Sequence, residues 1–226
     1  MIGVFDSGIG GLTALSELRK RAPLSDIIYL ADRKNAPYGT KSECELTNLV
    51  TRDVNELLFR GADRILIACC TASTVYDLLP SYVKNVSTPI IEPAAKAAAY
   101  ATKNAKIAVI STKRTADSHA FKDAIGKYSS AEVFEFEAQA LVSFIEERAF
   151  DSDVGGKAWQ YLQALLGKVE ECGADSLILG CTHFPHLKER LWELIPKIKI
   201  IDPSLEGARH LLRSGAPKET GRTIYV

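Results

Sequence analysis

Residues 61–73 read GADRILIACCTAS and residues 173–185 read GADSLILGCTHFP. One frame of glycine, alanine, aspartate, an apolar run and a cysteine therefore occurs twice, 112 residues apart. A second pair precedes it in the same order. IGVFDS (2–7) resembles IAVIST (107–112) at an offset of 105. Buried strands look alike by composition, but the shared Gly-Ala-Asp…Cys frame extends beyond any strand. Two similar offsets in one order predict two related halves. The first is expected over 1–95, completed by 205–226, and the second over 96–204.

The elements between the repeats set the fold class. IGVF (2–5), IIYLA (27–31), RILIA (64–68), PII (89–91), IAVI (107–110), EVFEF (132–136), SLILG (176–180) and IKII (198–201) read as strands. Several are continuous apolar runs, as expected of parallel strands covered on both faces. Helical patterns lie between them. Leu12, Leu15 and Leu18 form one apolar stripe, and Leu46, Leu49, Val50, Val54, Leu57 and Leu58 form another that stops at Gly61. A further helix over 157–172 stops at Gly173. Alternation of strand and helix predicts an α/β fold of two facing, pseudo-symmetric halves, each with a mainly parallel sheet, and a site in the cleft between them.

Charge and cysteine usage narrow the function. Lys plus Arg equals Asp plus Glu at 28 each, so the net charge is zero. That argues against a general nucleic-acid or membrane-surface binder, which needs excess positive charge. The start, MIGVFDSGIGG, has neither a basic segment nor a long apolar run, so no signal peptide is expected, and no stretch approaches a membrane span. Five cysteines, an odd number without a CxxC pair, fit free thiols in a reducing compartment. The expected location is the cytoplasm.

Cys69 and Cys181 each follow an apolar strand directly, at the rim where open parallel sheets bind ligands. Thiols reaching one cleft from two halves suit the inversion of a carbon that bears hydrogen: a thiolate takes the proton on one face and a thiol returns one on the other. Such thiolates need help near neutral pH. Asp6, at the end of the first strand, and His183, two residues after Cys181, are the proton-handling neighbours. A lone buried cysteine is more often an inert small hydrophobe; the matched pair with polar neighbours outweighs that reading. DSGIGGLT (6–13) places glycines between strand and helix, where amides hold an anion. It matches the dinucleotide fingerprint only in part, because Thr13 takes the third glycine position, although Asp32 lies where a ribose-binding acid would. Cys69, Cys70, Cys181 and His183 have poor zinc spacing, so no metal is expected. Hydroxyls at strand ends, Ser7, Thr71, Thr112 and Thr182 among them, suit a small zwitterion, although each could equally cap a helix.

With these residues in place, the chain resembles the bacterial glutamate racemases. The resemblance rests on FDSGIGGL (5–12), AD with PYG (31–32, 37–39), IACCTAS (67–73), VISTKRT (109–115), LGCTHFP (179–185) and IDPSLEGAR (201–209). It implies two facing α/β domains and interconversion of L- and D-glutamate without pyridoxal phosphate or another cofactor. It implies catalytic Cys69 and Cys181, assisted by Asp6 and His183 respectively, with a further acid at Glu147 or, as the alternative, Glu146. Substrate contacts are implied at Ser7, Tyr38, Gly39, Cys70, Thr71, Thr112 and Thr182. It also implies supply of D-glutamate to peptidoglycan, glutamate as the small-molecule partner, and a homodimer, since members often pair. Three departures stand out. The family's C-N-T-A is here Cys69-Cys70-Thr71-Ala72, which exchanges an amide for a thiol and weakens one polar contact. It keeps open an aspartate or broad-specificity racemase and a non-catalytic amino-acid binder. ALVSFIEER (140–148) lacks the family's prolines, and the chain is shorter than typical members, so a terminal helix is expected to be absent.

Overall fold

A computed structural model describes residues 1–152 and 156–226. The chain runs β1 (Ile2–Asp6), α1 (Leu12–Arg21), β2 (Ile27–Ala31), α2 (Glu43–Phe59), β3 (Arg64–Ile67), α3 (Cys70–Ser73), α4 (Ser81–Val86), β4 (Ser87–Pro89) and α5 (Ile91–Ala101). It continues through β5 (Lys106–Ser111), α6 (Lys113–Asp117), α7 (Ala120–Gly126), β6 (Glu132–Glu137), α8 (Gln139–Glu146), α9 (Ala149–Ser152), α10 (Lys157–Glu171) and β7 (Ser176–Gly180). It ends with α11 (Lys188–Leu194), β8 (Lys199–Ile201), α12 (Pro203–Leu211) and β9 (Thr223–Tyr225). The strands form two sheets, β4-β3-β1-β2-β9 and β6-β5-β7-β8, and every pairing is parallel.

Read from its other edge, the second sheet runs β8-β7-β5-β6 and repeats β4-β3-β1-β2. The register repeats as well. Ile2 lies opposite Arg64, and Ile107 lies opposite Ser176, so both partners move by the offsets seen in the sequence. The helix stops are also matched: Gly61 at φ +93° and Gly173 at φ +70° occupy the left-handed region that glycine adopts without a Cβ penalty. Before Gly61, α2 is started by a capping box, in which the Ser42 hydroxyl accepts from the Glu45 amide and Glu45 accepts from the Ser42 amide.

Alternation along the strands explains the apolar runs. In β5, Ile107 and Val109 face one layer while Ala108 and Ile110 face the other, and all four are fully buried. One core is shared by both sheets: Ile2, Val4 and Leu66 belong to the same cluster as Ile107, Val109 and Ile178. Between the sheets α1 packs on α12, α12 on α5 and α5 on α7. The alanines of α5, Ala94, Ala95 and Ala98, have no exposure there, and such small side chains let layers approach closely. Two outer clusters cover the far faces, one under α2 and one under α8, α10 and α11.

One expectation changes, and one strand is additional. The PII strand is displaced: the strand is Ser87–Pro89, and Ile91 opens α5. Ile90 and Ile91 are apolar because they are buried at a helix start, which a short apolar run does not distinguish from a strand. The edge strand β9 was not read at all. It pairs with β2 through Ile27–Tyr29, and two of its three residues are exposed.

The shared core predicts one cooperative unit. Leu66→Ala, in the first sheet, should cost about 2–5 kcal/mol. Urea unfolding followed through Trp159 and Trp192, both in the second half, should show the lowered midpoint with an unchanged slope. An unmoved tryptophan transition would mean that the halves unfold separately.

Candidate active site

Cys69 follows β3 and forms the N-cap of α3; its sulfur accepts from the Ala72 amide at 3.4 Å and lies 3.5 Å from the Ser7 hydroxyl. Cys181 follows β7, with its sulfur 3.6 Å from His183 Nδ1. Both thiols line one cavity of about 390 Å³, of small-ligand size. Burial pushes the Cys69 thiol up to about 11 and raises Cys181 and Cys70 as well, since a dry site disfavours the thiolate.

Each thiol has a different neighbour. The other imidazole nitrogen, His183 Nε2, lies 3.0 Å from Glu146 Oε1. A carboxylate oxygen accepts, so Nε2 is the nitrogen that donates to Glu146, and Nδ1 is the one that faces Cys181. Asp6 is fully buried and does not line the cavity. Its oxygens accept from the Gly8 amide at 2.8 Å and the Thr182 hydroxyl at 3.2 Å. Burial raises its carboxyl group against the pull of those bonds and of His183, and its charge also raises Cys69. Asp6 makes no direct bond to Cys69; Ser7 does.

The glycines of 6–13 serve close approach. A Cβ on Gly10 would lie 2.4 Å from Thr182 Oγ1 and 2.7 Å from His183 Nδ1, so glycine here lets the first half touch the turn that carries Cys181. The Gly8 amide is spent on Asp6 rather than on a ligand. Asp32 is equally committed, to Arg52, Asn35 and Tyr38. Burial raises Asp32, but those bonds outweigh it and hold the group below the usual carboxylate range. Asp53, beside it, is pushed up to about 6 by burial, with the Asp32 charge adding to the shift.

Ser7, Tyr38, Gly39, Cys70, Thr71, Thr112 and Thr182 all line the cavity. Tyr38 does so without a free hydroxyl, because its oxygen lies 2.7 Å from Asp32 and 3.1 Å from Asp53. Thr71, Thr112 and the buried Thr115 form a triangle of hydroxyls 2.9–3.2 Å apart across the two halves. The two candidate acids differ in position. Glu146, not Glu147, reaches His183 and lines the cavity, while Glu147 is exposed beyond the end of α8. The signal was in the sequence: Gln139, Val142, Ser143 and Glu146 are spaced three, four and seven apart and share one helix face, and all four line the cavity. Gln139 and Ser143 were missed for want of that reading. Among the described residues no three His, Cys, Asp or Glu side chains converge to hold a metal, and no helix is long and apolar enough to cross a membrane.

Two like parallel-sheet halves that close on one thiol-lined cleft define a two-lobed α/β protein. The chain belongs to the Asp/Glu/Hydantoin racemase family, whose model matches residues 14–211. It is 39% identical over 216 residues to a glutamate racemase of Pseudomonas paraeruginosa, covering 94% of this chain and 80% of that protein. A glutamate racemase structure from Bacillus anthracis superposes with a TM-score of 0.88 at 28% identity, over 100% of this chain and 86% of that one. Another, from Francisella tularensis in complex with D-glutamate, gives 0.83 at 33% identity, over 93% and 78%.

The buried thiols predict a reactivity order. With iodoacetamide at about pH 7.5, exposed Cys44 should be alkylated well before Cys69. The Cys69 rate should climb about tenfold per pH unit and level off near the value of about 11. Mass spectrometry of the labelled peptides checks this, and equal rates at about pH 7.5 would contradict it.

Proposed function

We propose that this enzyme interconverts L- and D-glutamate without a cofactor, by two-base transfer between Cys69 and Cys181, and so supplies D-glutamate for peptidoglycan in a bacterial cytoplasm. The observation that carries the reading is that Cys69 and Cys181, at matched strand ends of the two halves, line one cavity. One thiolate removes the α-proton from its face of the substrate, and the opposite thiol delivers its own proton to the other face. The carbon is inverted, and the two sulfurs have exchanged protonation states. The reverse reaction exchanges the roles.

The environment supports each part of this cycle. A thiolate in a dry site is a strong base, which a carbon acid demands, and the α-ammonium of a bound amino acid favours its formation by charge. His183 Nδ1 stands ready to take the Cys181 proton, with Glu146 steadying the imidazolium that results. Ser7 is the neighbour of Cys69, and Asp6 acts on it through charge alone. His183 apart, no cationic side chain lines the cavity among the described residues, so neutral hydroxyls and backbone amides hold the carboxylates. Ser7, Thr71, Thr112 and Thr182 are those hydroxyls, with Gly39 contributing backbone. The F. tularensis relative, in complex with D-glutamate, has the ligand class that this lining suits.

Cys70 favours a second reading, an aspartate or broad-specificity racemase, because a weakly polar thiol lines the cavity there. Incubating each acidic amino acid in deuterium oxide separates the two: glutamate should racemise fastest and gain α-deuterium. Cys69→Ser and Cys181→Ser should each lower kcat by about a thousandfold. Full activity in either variant, or no exchange with any amino acid, would end the proposal. Glu146→Gln should lower kcat about tenfold, while Glu147→Gln leaves it unchanged. Equal losses in a circular-dichroism assay would remove Glu146 from the relay.

A further inference from the structure

We propose that Thr13, backed by Ser204, is a positioning residue for the Cys181 side of the reaction, acting on that thiol from the opposite half of the molecule; the assignment rests on the racemase reading above. Neither residue lines the thiol cavity. The Thr13 hydroxyl lies 2.7 Å from Ser204 Oγ, 3.1 Å from the Thr182 carbonyl and 2.9 Å from the Gly10 carbonyl. It has one hydrogen to give. The Gly10 carbonyl already accepts the Thr13 amide at 3.1 Å. The Ser204 hydroxyl has no partner among the described residues but Thr13, so its hydrogen goes to Thr13. The Thr13 hydrogen is then shared between the Gly10 carbonyl and the Thr182 carbonyl, the second of which belongs to the other half.

That carbonyl is one end of a rigid peptide unit. Its other end is the His183 backbone, which carries the imidazole whose Nδ1 lies 3.6 Å from the Cys181 sulfur. A peptide unit is planar and rigid, so gripping its oxygen fixes the backbone from which the His183 ring reaches the thiol. Thr182 is held a second time by its own hydroxyl on Asp6. Ser204 is itself fixed, with its amide on Asp202 at 2.9 Å and Asp202 paired with Lys188 at 3.3 Å. Thr13 thus completes a brace from the start of α12, through α1, to the turn that carries Cys181 and His183. Cys69 receives nothing from this brace, so its loss should act on one thiol only.

The test uses the full chain and the variants Thr13→Val, Thr13→Ser and Ser204→Ala. Iodoacetamide labelling of Cys181, followed by mass spectrometry across pH with Cys69 as internal control, needs no racemase activity. Thr13→Val should slow Cys181 labelling about three- to tenfold and leave Cys69 unchanged, as loss of one hydrogen bond implies. Thr13→Ser should restore it, and Ser204→Ala should act in the same sense. In the racemase assay Thr13→Val should lower kcat about tenfold or more with KM held, as misplacement of a reacting group does. The α-deuterium isotope effect should rise for one enantiomer only. Selective slowing of Cys181 in a chain that racemises nothing supports the brace and removes the racemase reading. A racemising Thr13→Val protein with wild-type Cys181 labelling and symmetric isotope effects overturns the brace. If Thr13→Val does not fold, the same two readouts on Ser204→Ala decide.

Discussion

The hydrogen bond from the Thr182 hydroxyl to the Asp6 carboxylate, 3.2 Å long and buried, joins the end of β1 to the turn after β7. A buried carboxylate is costly unless its oxygens are satisfied. Asp6 is satisfied from both halves, by the Gly8 amide on its own side and by Thr182 across the cleft. The halves are therefore held where their strand ends converge, and the thiols that follow β3 and β7 come to one cavity. Gly10 makes the approach sterically allowed, since any side chain there would strike Thr182 and His183.

The same closeness buries the thiols, and their burial sets the chemistry. Burial raises all three cavity thiols, so the thiolates are disfavoured there. The two halves are alike in backbone but not in proton handling. Where one presents a hydroxyl at 3.5 Å to its sulfur, the other presents an imidazole backed by a carboxylate. Behind Tyr38 a carboxylate pair, Asp32 and Asp53, takes up its hydroxyl. That tyrosine contributes shape to the cavity wall and none of its hydrogen-bonding capacity.

Much of this was legible in the sequence. Strand alternation, the Gly61 and Gly173 stops and the two offsets specify like parallel-sheet units, because local periodicity and left-handed glycine are written residue by residue. The cavity-lining hydroxyls and thiols were legible for the same reason: ligand-facing residues follow strand ends. Glu146 was legible only to helix periodicity, which places it on the face of Gln139 and Ser143 and turns Glu147 away. The strand at 87–89 and β9 were hidden, since edge strands are short and carry little apolar signal.

The sequence by itself determined the two-fold α/β plan and which side chains lie at the rim of each sheet, since both follow from spacing along one segment. Only the tertiary structure decided which rim groups meet. That Asp6 bonds Thr182 rather than Cys69, that Ser7 rather than Asp6 touches the first thiol, and that Thr13 reaches the Thr182 carbonyl are contacts between segments about 170 residues apart or from separate loops. The relative placement of two halves depends on packing across a shared core, and no local pattern in either half records it.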